Sequence, residues 1–349
     1  MQQLFDMKNF KVLGLALMMI MSLCTQNSYA QDVQMATLQH EDELSTYYGV
    51  NAFIEAMDKA EHGDVINLSS GIFNSPYITK AVKIYGAGYS QNSATNQYET
   101  KMANDMYVDI NDGAKGLLIE GLYTRWLSFK NTINNATVSR CMIDGYLGID
   151  NAKNCLVEKC RIKDCFYAGN HSENVILDNS VVSYIESNDY DATFMIRHCI
   201  IGWLVHDTKY AHGLRSASIS NSVIFSGGGT NTIQYENCVL HYELPSNIKH
   251  VGCHWVSNPL TLFENLPTFS YEQQESYRLP MDNDSILNKK EIELNKIVSS
   301  DGTEIGIHGG TSPFTSIPSN PQIVSKEIAT ETDEEGKLAV KIKVEAQNK

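Results

Sequence analysis

The stretch His206-Asp207-Thr208-Lys209-Tyr210-Ala211-His212-Gly213-Leu214-Arg215 packs two imidazoles, two cations and a carboxylate into ten residues. Upstream of it lie Glu186, Asp189 and Asp191, and before those Tyr167, Asn170 and His171. This mixture suits two reactions on sugar polymers. Elimination from a uronate needs a cation against the sugar carboxylate, a base for the C5 proton and an acid for the leaving oxygen. Asp189, Asp191 and Asp207 are the candidate Ca²⁺ ligands, because Ca²⁺ takes several carboxylate oxygens. Lys209, His206, His212 and Arg215 are then the candidate catalytic groups, as base or carboxylate clamp. Glycoside hydrolysis instead needs two carboxylates at a set separation, which Asp189, Asp191 and Asp207 could supply. The plain alternative is a solvated loop face with no chemistry.

What brings these residues together is a repeat. Between residues 119 and 240 one phrase recurs seven times: apolar, polar, turn-former, small or thiol, any residue, apolar. Ile119-Glu120-Gly121-Leu122-Tyr123-Thr124 and Val157-Glu158-Lys159-Cys160-Arg161-Ile162 are two of the copies. From Leu122 through Cys141, Cys160, Ser180, Cys199, Ser222 and Cys238 the steps are 19, 19, 20, 19, 23 and 16 residues. The period fits one β-coil per repeat. A single coil cannot bury its own apolar face, so coils must stack about 4.8 Å apart into a solenoid. Stacking in register carries Tyr167, Glu186 and Asp207, at +7, +6 and +8 from their slots, onto one patch. The coil from Cys199 to Ser222 is the longest, and a groove wall forms most readily where a uniform stack is interrupted.

The slot itself holds Leu, Ser or Cys, which marks a small interior position. Cys141, Cys160, Cys199 and Cys238 therefore read as a ladder of reduced, buried thiols. Neighbouring slots have parallel Cβ vectors about 4.8 Å apart, wider than the roughly 3.8 Å a disulfide prefers. The residue before the slot turns the chain: Gly121, Asn179, Asn221 and Asn237 tolerate positive φ, and Arg140, Lys159 and His198 share their position. His198 is thus a bend residue. Tyr146, Phe166, Tyr184, Trp203, Phe225 and Tyr242 follow the slot at short offsets. An internal aromatic stack is the preferred reading, an external sugar-stacking platform the other.

The ends differ from the middle. Lys8 and Lys11 precede an apolar run from Val12 to Leu23, and Ser28-Tyr29-Ala30 offers a cleavage site, so residues 1–30 read as an export signal. The expected location is secreted, periplasmic or cell-surface, with no membrane span. Removing the signal takes the formal charge from −14 to −15, since Lys8, Lys11 and Asp6 leave together. An acidic exported chain makes a poor partner for nucleic acid. After a polar lead-in (31–50), a short helix from Ala52 to Ala60 is placed as a cap over the first coil, which hides an open sheet edge. Residues 51–310 form the capped solenoid. Residues 311–349 form a linker and a hairpin, in which Leu338, Val340, Ile342 and Val344 alternate with polar neighbours as a half-buried strand.

The phrases Gly63-Asp64-Val65-Ile66-Asn67-Leu68 and Val82-Lys83-Ile84-Tyr85-Gly86-Ala87-Gly88, the repeated coils, and Gly302-Thr303-Glu304-Ile305-Gly306-Ile307-His308-Gly309-Gly310 together resemble secreted bacterial proteins of the pectate-lyase-like superfamily. The resemblance spans roughly residues 45–310. It implies an all-β, right-handed parallel β-helix, completed by the N-terminal capping helix and the C-terminal β-hairpin read from the residues above. For function it implies action on, or binding to, polysaccharide, with a uronate lyase ahead of a hydrolase. A non-catalytic glycan-binding, surface or adhesive protein is the alternative. The superfamily's polygalacturonase signature (Asn-Thr-Asp, Asp-Asp, Gly-His-Gly) and a clear lyase Arg motif are missing here, and fold alone does not assign activity.

Overall fold

The computed structural model describes residues 33–90, 98–110, 113–131, 133–169, 171–187, 193–204, 214, 216–227, 232–241, 243–257 and 297–345. The signal segment expected at residues 1–30 lies outside them.

The repeated phrase becomes the corner between two sheets. Its first half adds a strand to a 12-stranded sheet and its second half a strand to a 14-stranded one. Ile119, Val138, Val157, Leu177, Ile196, Ile219, Tyr235 and His250 stand at one register in consecutive parallel strands. The first seven of these are 0–2% exposed. Each such side chain, buried fully, is worth about 1.5–3 kcal/mol. His250 belongs to an eighth copy, His250-Val251-Gly252-Cys253-His254-Trp255, whose strands pair with the seventh. Its first two residues are polar and then apolar, the reverse of the others, which hid it from the pattern.

The chain is an all-β parallel solenoid. In its earlier coils the 14-stranded sheet runs in two branches, and both meet at Arg161–Ala168. That strand pairs with Met142–Ile143 at one end and Leu147–Ile149 at the other. Its own register shifts against Val181–Ser187 between Ile162 and Cys165. Residues 90–106, rich in Asn, Ser, Thr and Gln, read from sequence as a loop or inserted turn between coils, yet Thr100–Met102 within them forms a strand between Gly71–Phe73 and Tyr123.

The corner explains the slot residue. The residue before it has φ between +42° and +71° in every copy from Gly121 to Gly252. The slot side chain donates a hydrogen bond back to the carbonyl two residues earlier: Cys141 Sγ to Ser139 at 3.3 Å, Cys160 to Glu158 at 3.2 Å, Cys199 to Arg197 at 3.1 Å. Ser180 and Ser222 do the same at 2.8 and 2.7 Å. Ser and Cys alternate there because both are small and both donate. All seven described cysteines are free thiols. A second column of left-handed turns, Gly116, Asn135, Asn154 and Asn174, runs along another edge; its spacing of 19, 19 and 20 residues is visible in the sequence once sought.

The helix Ala52–Lys59 buries Ala52, Phe53, Ala56 and Met57 against the first strands, as a cap should. The lead-in is not featureless. Met35–His40 and Glu43–Tyr48 form a hairpin that extends the first sheet antiparallel, pairing with Val65–Leu68.

Residues 297–320 form a strap that runs back along the turn column. Asn221 Oδ1 accepts the Ser300 amide (2.9 Å), and His198 Nε2 meets Asp301 Oδ2 (2.9 Å). Asn179 Nδ2 donates to the Ile307 and Gly309 carbonyls (3.0 and 2.8 Å), and Lys159 Nζ donates to Ser312 Oγ (2.6 Å). Ser319 Oγ reaches Glu120 Oε2 at 2.9 Å. Ile305 and Ile307 fill a second apolar cluster with Val181, Ile200, Val223, Phe225 and Val239. Gly309 has no room for a Cβ, which would stand 2.4 Å from His198 Nδ1. Beyond the strap, Gln322–Thr332 and Leu338–Glu345 pair antiparallel as the expected hairpin. The half-buried reading of its second strand is corrected: Leu338, Val340, Ile342 and Val344 are 48–54% exposed.

Candidate functional site

The expected patch cannot be placed. Asp189, Asp191, His206, Asp207, Lys209, His212 and Arg215 all lie outside the described residues, as does Asn170. Its inner margin is described. Tyr167 and Glu186 stand side by side in paired strands, as in-register stacking requires. His171 is an exposed turn residue with φ of +57°. Among the described residues no three His, Cys, Asp or Glu side chains gather as a metal site, and no helix is long and apolar enough to cross a membrane.

From that margin a face extends backward over the outside of the solenoid. Tyr77, Tyr107, Ser128, Gly148, Tyr167 and Glu186 occupy one outward column. Two residues farther along each strand, Asp109, Lys130, Asp150 and Gly169 form the next, since side chains two apart share a face. Aromatic rings follow one another along this surface. Tyr77 and Tyr107 stack at 5.4 Å, Trp126 and Tyr146 lie 6.2 Å apart, and Tyr146 and Tyr167 lie 5.7 Å apart. Tyr184 and Trp203 continue in the following coils at 5.7 Å, edge to face. Gly148 is needed here, because any Cβ would meet the Tyr146 ring at 2.2 Å. The small residue lets the phenol lie flat across the strand.

These positions divide the aromatic residues singled out from the sequence. Phe166 is fully buried inside the coils, and Phe225 is buried under the strap. Tyr146, Tyr184 and Trp203 point outward and are partly exposed, which corrects the internal stack. Tyr242 lies outside the described residues.

Charge is distributed unevenly over the face. Lys101 sits over Tyr123 (4.5 Å), Arg125 over Trp126 (4.9 Å) and Lys130 over Tyr107 (4.9 Å). Arg125 also pairs with Asp105, and Lys163 with Asp144 at 2.6 Å. Burial tends to raise the Asp144 carboxyl, but Lys163 outweighs it and the net shift is downward. Asp150 is different: burial pushes its carboxyl above the ordinary range, and Lys130 only partly offsets this. The Tyr146 phenol is pushed up by burial and then by the charges of Asp150, Cys165, Tyr167 and Glu186 around it. Cys165 Sγ donates to Glu186 Oε2 at 3.6 Å, and burial followed by Glu186 raises that thiol. Such a surface can stack flat apolar faces and bind hydroxyls or charges between them.

Compared with known proteins the chain finds no match: no family model, no curated protein and no solved structure is significantly similar to it. The pectate-lyase-like resemblance therefore carries as far as the parallel β-solenoid.

Proposed function

We propose that this chain is an exported solenoid that binds polysaccharide along the outer aromatic face. The observation that supports this reading is the run Trp126–Tyr146–Tyr167, three part-exposed rings on three successive coils. Sugar rings present apolar C–H faces, and aromatic side chains held at a fixed spacing suit a polymer with a fixed repeat. The hydroxyls, Asp150 and Glu186 supply hydrogen-bond partners beside the rings.

The groups proposed for elimination, Lys209, His206, His212 and Arg215 with Ca²⁺ on Asp189, Asp191 and Asp207, lie outside the described residues, and the reading proposed here rests on the aromatic face alone. The test is affinity electrophoresis in gels carrying soluble polysaccharides. Removal of Trp126 or Tyr167 as the Ala variant should weaken retention about five- to tenfold, the equivalent of roughly 1–1.4 kcal/mol per ring. Retention equal to the parent chain on every retained polymer would defeat the proposal. Release of unsaturated uronides in calcium, followed by ultraviolet absorbance, would establish the lyase reading in its place.

A further inference from the structure

The rings of the face fall into two groups by what lies against them. On the earlier coils the chain supplies its own cations: Lys101, Arg125 and Lys130 each lie 4.5–4.9 Å from a ring centroid. A cation within about 6 Å of a ring face is attracted by the ring quadrupole. One coil later the pattern reverses. Asp150 follows Lys130 in its column, and Glu186 follows Tyr167 in the neighbouring one. Rings continue, Tyr146 beside Tyr167 at 5.7 Å, but the charged groups around them are carboxylates.

These carboxylates are not spent on the protein's own cations. Among the described residues neither Asp150 nor Glu186 forms an ion pair, and Lys163, the nearest coil's lysine, is held by Asp144 at 2.6 Å. Glu186 accepts from the neutral thiol of Cys165. Lys130 acts on Asp150 from one side while lying over Tyr107. Tyr146 and Tyr167 lie 5.7 Å apart, Glu186 pairs in register with Tyr167, and Asp150 stands two residues beyond Gly148, against which the Tyr146 ring lies, so residues of three coils border this corner. Rings that elsewhere on this face take a cation are here bordered by negative charge.

We propose that the corner formed by Tyr146, Asp150, Tyr167 and Glu186 seats a ligand ammonium group, so that the polymer this face prefers is an amino-sugar polymer and not a uronate. The inference rests on the glycan reading of the face and narrows it to one substrate class. An ammonium gains twice at this corner, from the ring faces and from the carboxylates. A uronate carboxylate there meets like charge and loses on both counts.

Isothermal titration of the exported chain with three oligomers of equal length separates this inference from the reading beneath it: glucosamine oligomers, their N-acetylated neutral forms, and galacturonate oligomers. Glucosamine oligomers should bind about tenfold more tightly than the neutral forms, and galacturonate oligomers less tightly than either. In the Asp150→Asn, Glu186→Gln double variant the ratio of glucosamine to neutral affinity should fall to about one. Tetramethylammonium chloride should compete with glucosamine oligomers more effectively than sodium chloride at the same ionic strength. If neutral oligomers bind and glucosamine gains nothing over them, or if the double variant keeps the tenfold ratio, the ammonium seat is refuted while the glycan reading stands. If none of the three oligomers binds, both fall together.

Discussion

Two flanks of this solenoid carry charged side chains outside the coils. Along the turn column, Glu120, Arg140, Lys159 and His198 are 3–5% exposed, because the strap lies over them. Arg140 Nη1 meets Glu120 Oε1 at 3.0 Å, and Glu120 in turn accepts from Ser319 of the strap. Along the aromatic face, Trp126 is 41% and Tyr77 63% exposed. Asp150 and Glu186 there have no counter-ion at ion-pair distance among the described residues. The same residue types thus do different work. On the first flank the charged side chains are buried and bonded to one another or to the strap, with Arg140 Nε and His198 Nδ1 left unpartnered, so these bonds help fix the position of the strap. On the second, the rings are part-exposed and the half-buried Asp150 and Glu186 lack counter-ions among the described residues, the arrangement that the proposed ligand would use.

The largest expected difference between the flanks is in stability. Arg140→Met leaves Glu120 buried without its ion-pair partner, and breaking one side of a buried pair costs about 3–5 kcal/mol. The urea midpoint should move down accordingly, with the slope of the transition preserved. A shift no larger than that of Lys163→Met, on the open face, would erase the distinction between the flanks.

Asp150→Asn should act in the opposite sense. The folded carboxyl is raised above its unfolded value by burial. Its contribution is fully present below the unfolded pKa and is lost as pH rises through that value toward the folded one. At neutral pH the charged carboxylate therefore strains the fold, and the neutral amide should leave stability unchanged or slightly higher. Thermal melts at pH 7 decide this. A clear loss of stability would mean that Asp150 is a structural group like Glu120.

Much of the fold was legible because the repeat expresses a local requirement. Each corner needs a positive φ followed by a small donor, and Asn179-Ser180 or Asn221-Ser222 states that in two letters. The strap's location was not legible, because the contacts that fix it join distant residues: His198 and Asp301 are 103 apart in the chain, Asn179 and Gly309 are 130 apart. The turn column did hold a clue. Arg140, Lys159 and His198 adopt a backbone conformation that Asn and Gly adopt more cheaply, so something outside the coil had to favour them. The aromatic face was misassigned for a different reason. Counting from the slot assumes constant parity, but the coils that begin at Cys141 and Cys160 carry one residue more here than their neighbours, seen as the register shift between Ile162 and Cys165. Phe166 at +6 therefore points inward beside Ile185 at +5, while Tyr184 and Trp203 at +4 point outward.

The smallest effect expected is in acid, at the charged end of the strap. Burial opposes the charge on Asp301, but donors outweigh it. Ser299 and the Thr303 hydroxyl and amide bond to Oδ1, while His198 bonds to Oδ2, and together they hold the carboxyl well below the ordinary range. A carboxyl depressed in the folded state contributes stability above its unfolded pKa of about 3.9. That contribution is lost as pH falls from there toward the folded pKa. The side chain is 40% exposed, so solvent screens the interaction and the contribution is modest. Melting temperature between pH 4 and 2 should consequently fall more steeply for the parent chain than for Asp301→Asn, which has no carboxyl to protonate there. At pH 7 the variant should melt slightly lower. Parallel curves would show that Ile305 and Ile307, packed against Val181, Ile200 and Val223, hold the strap without its charged end.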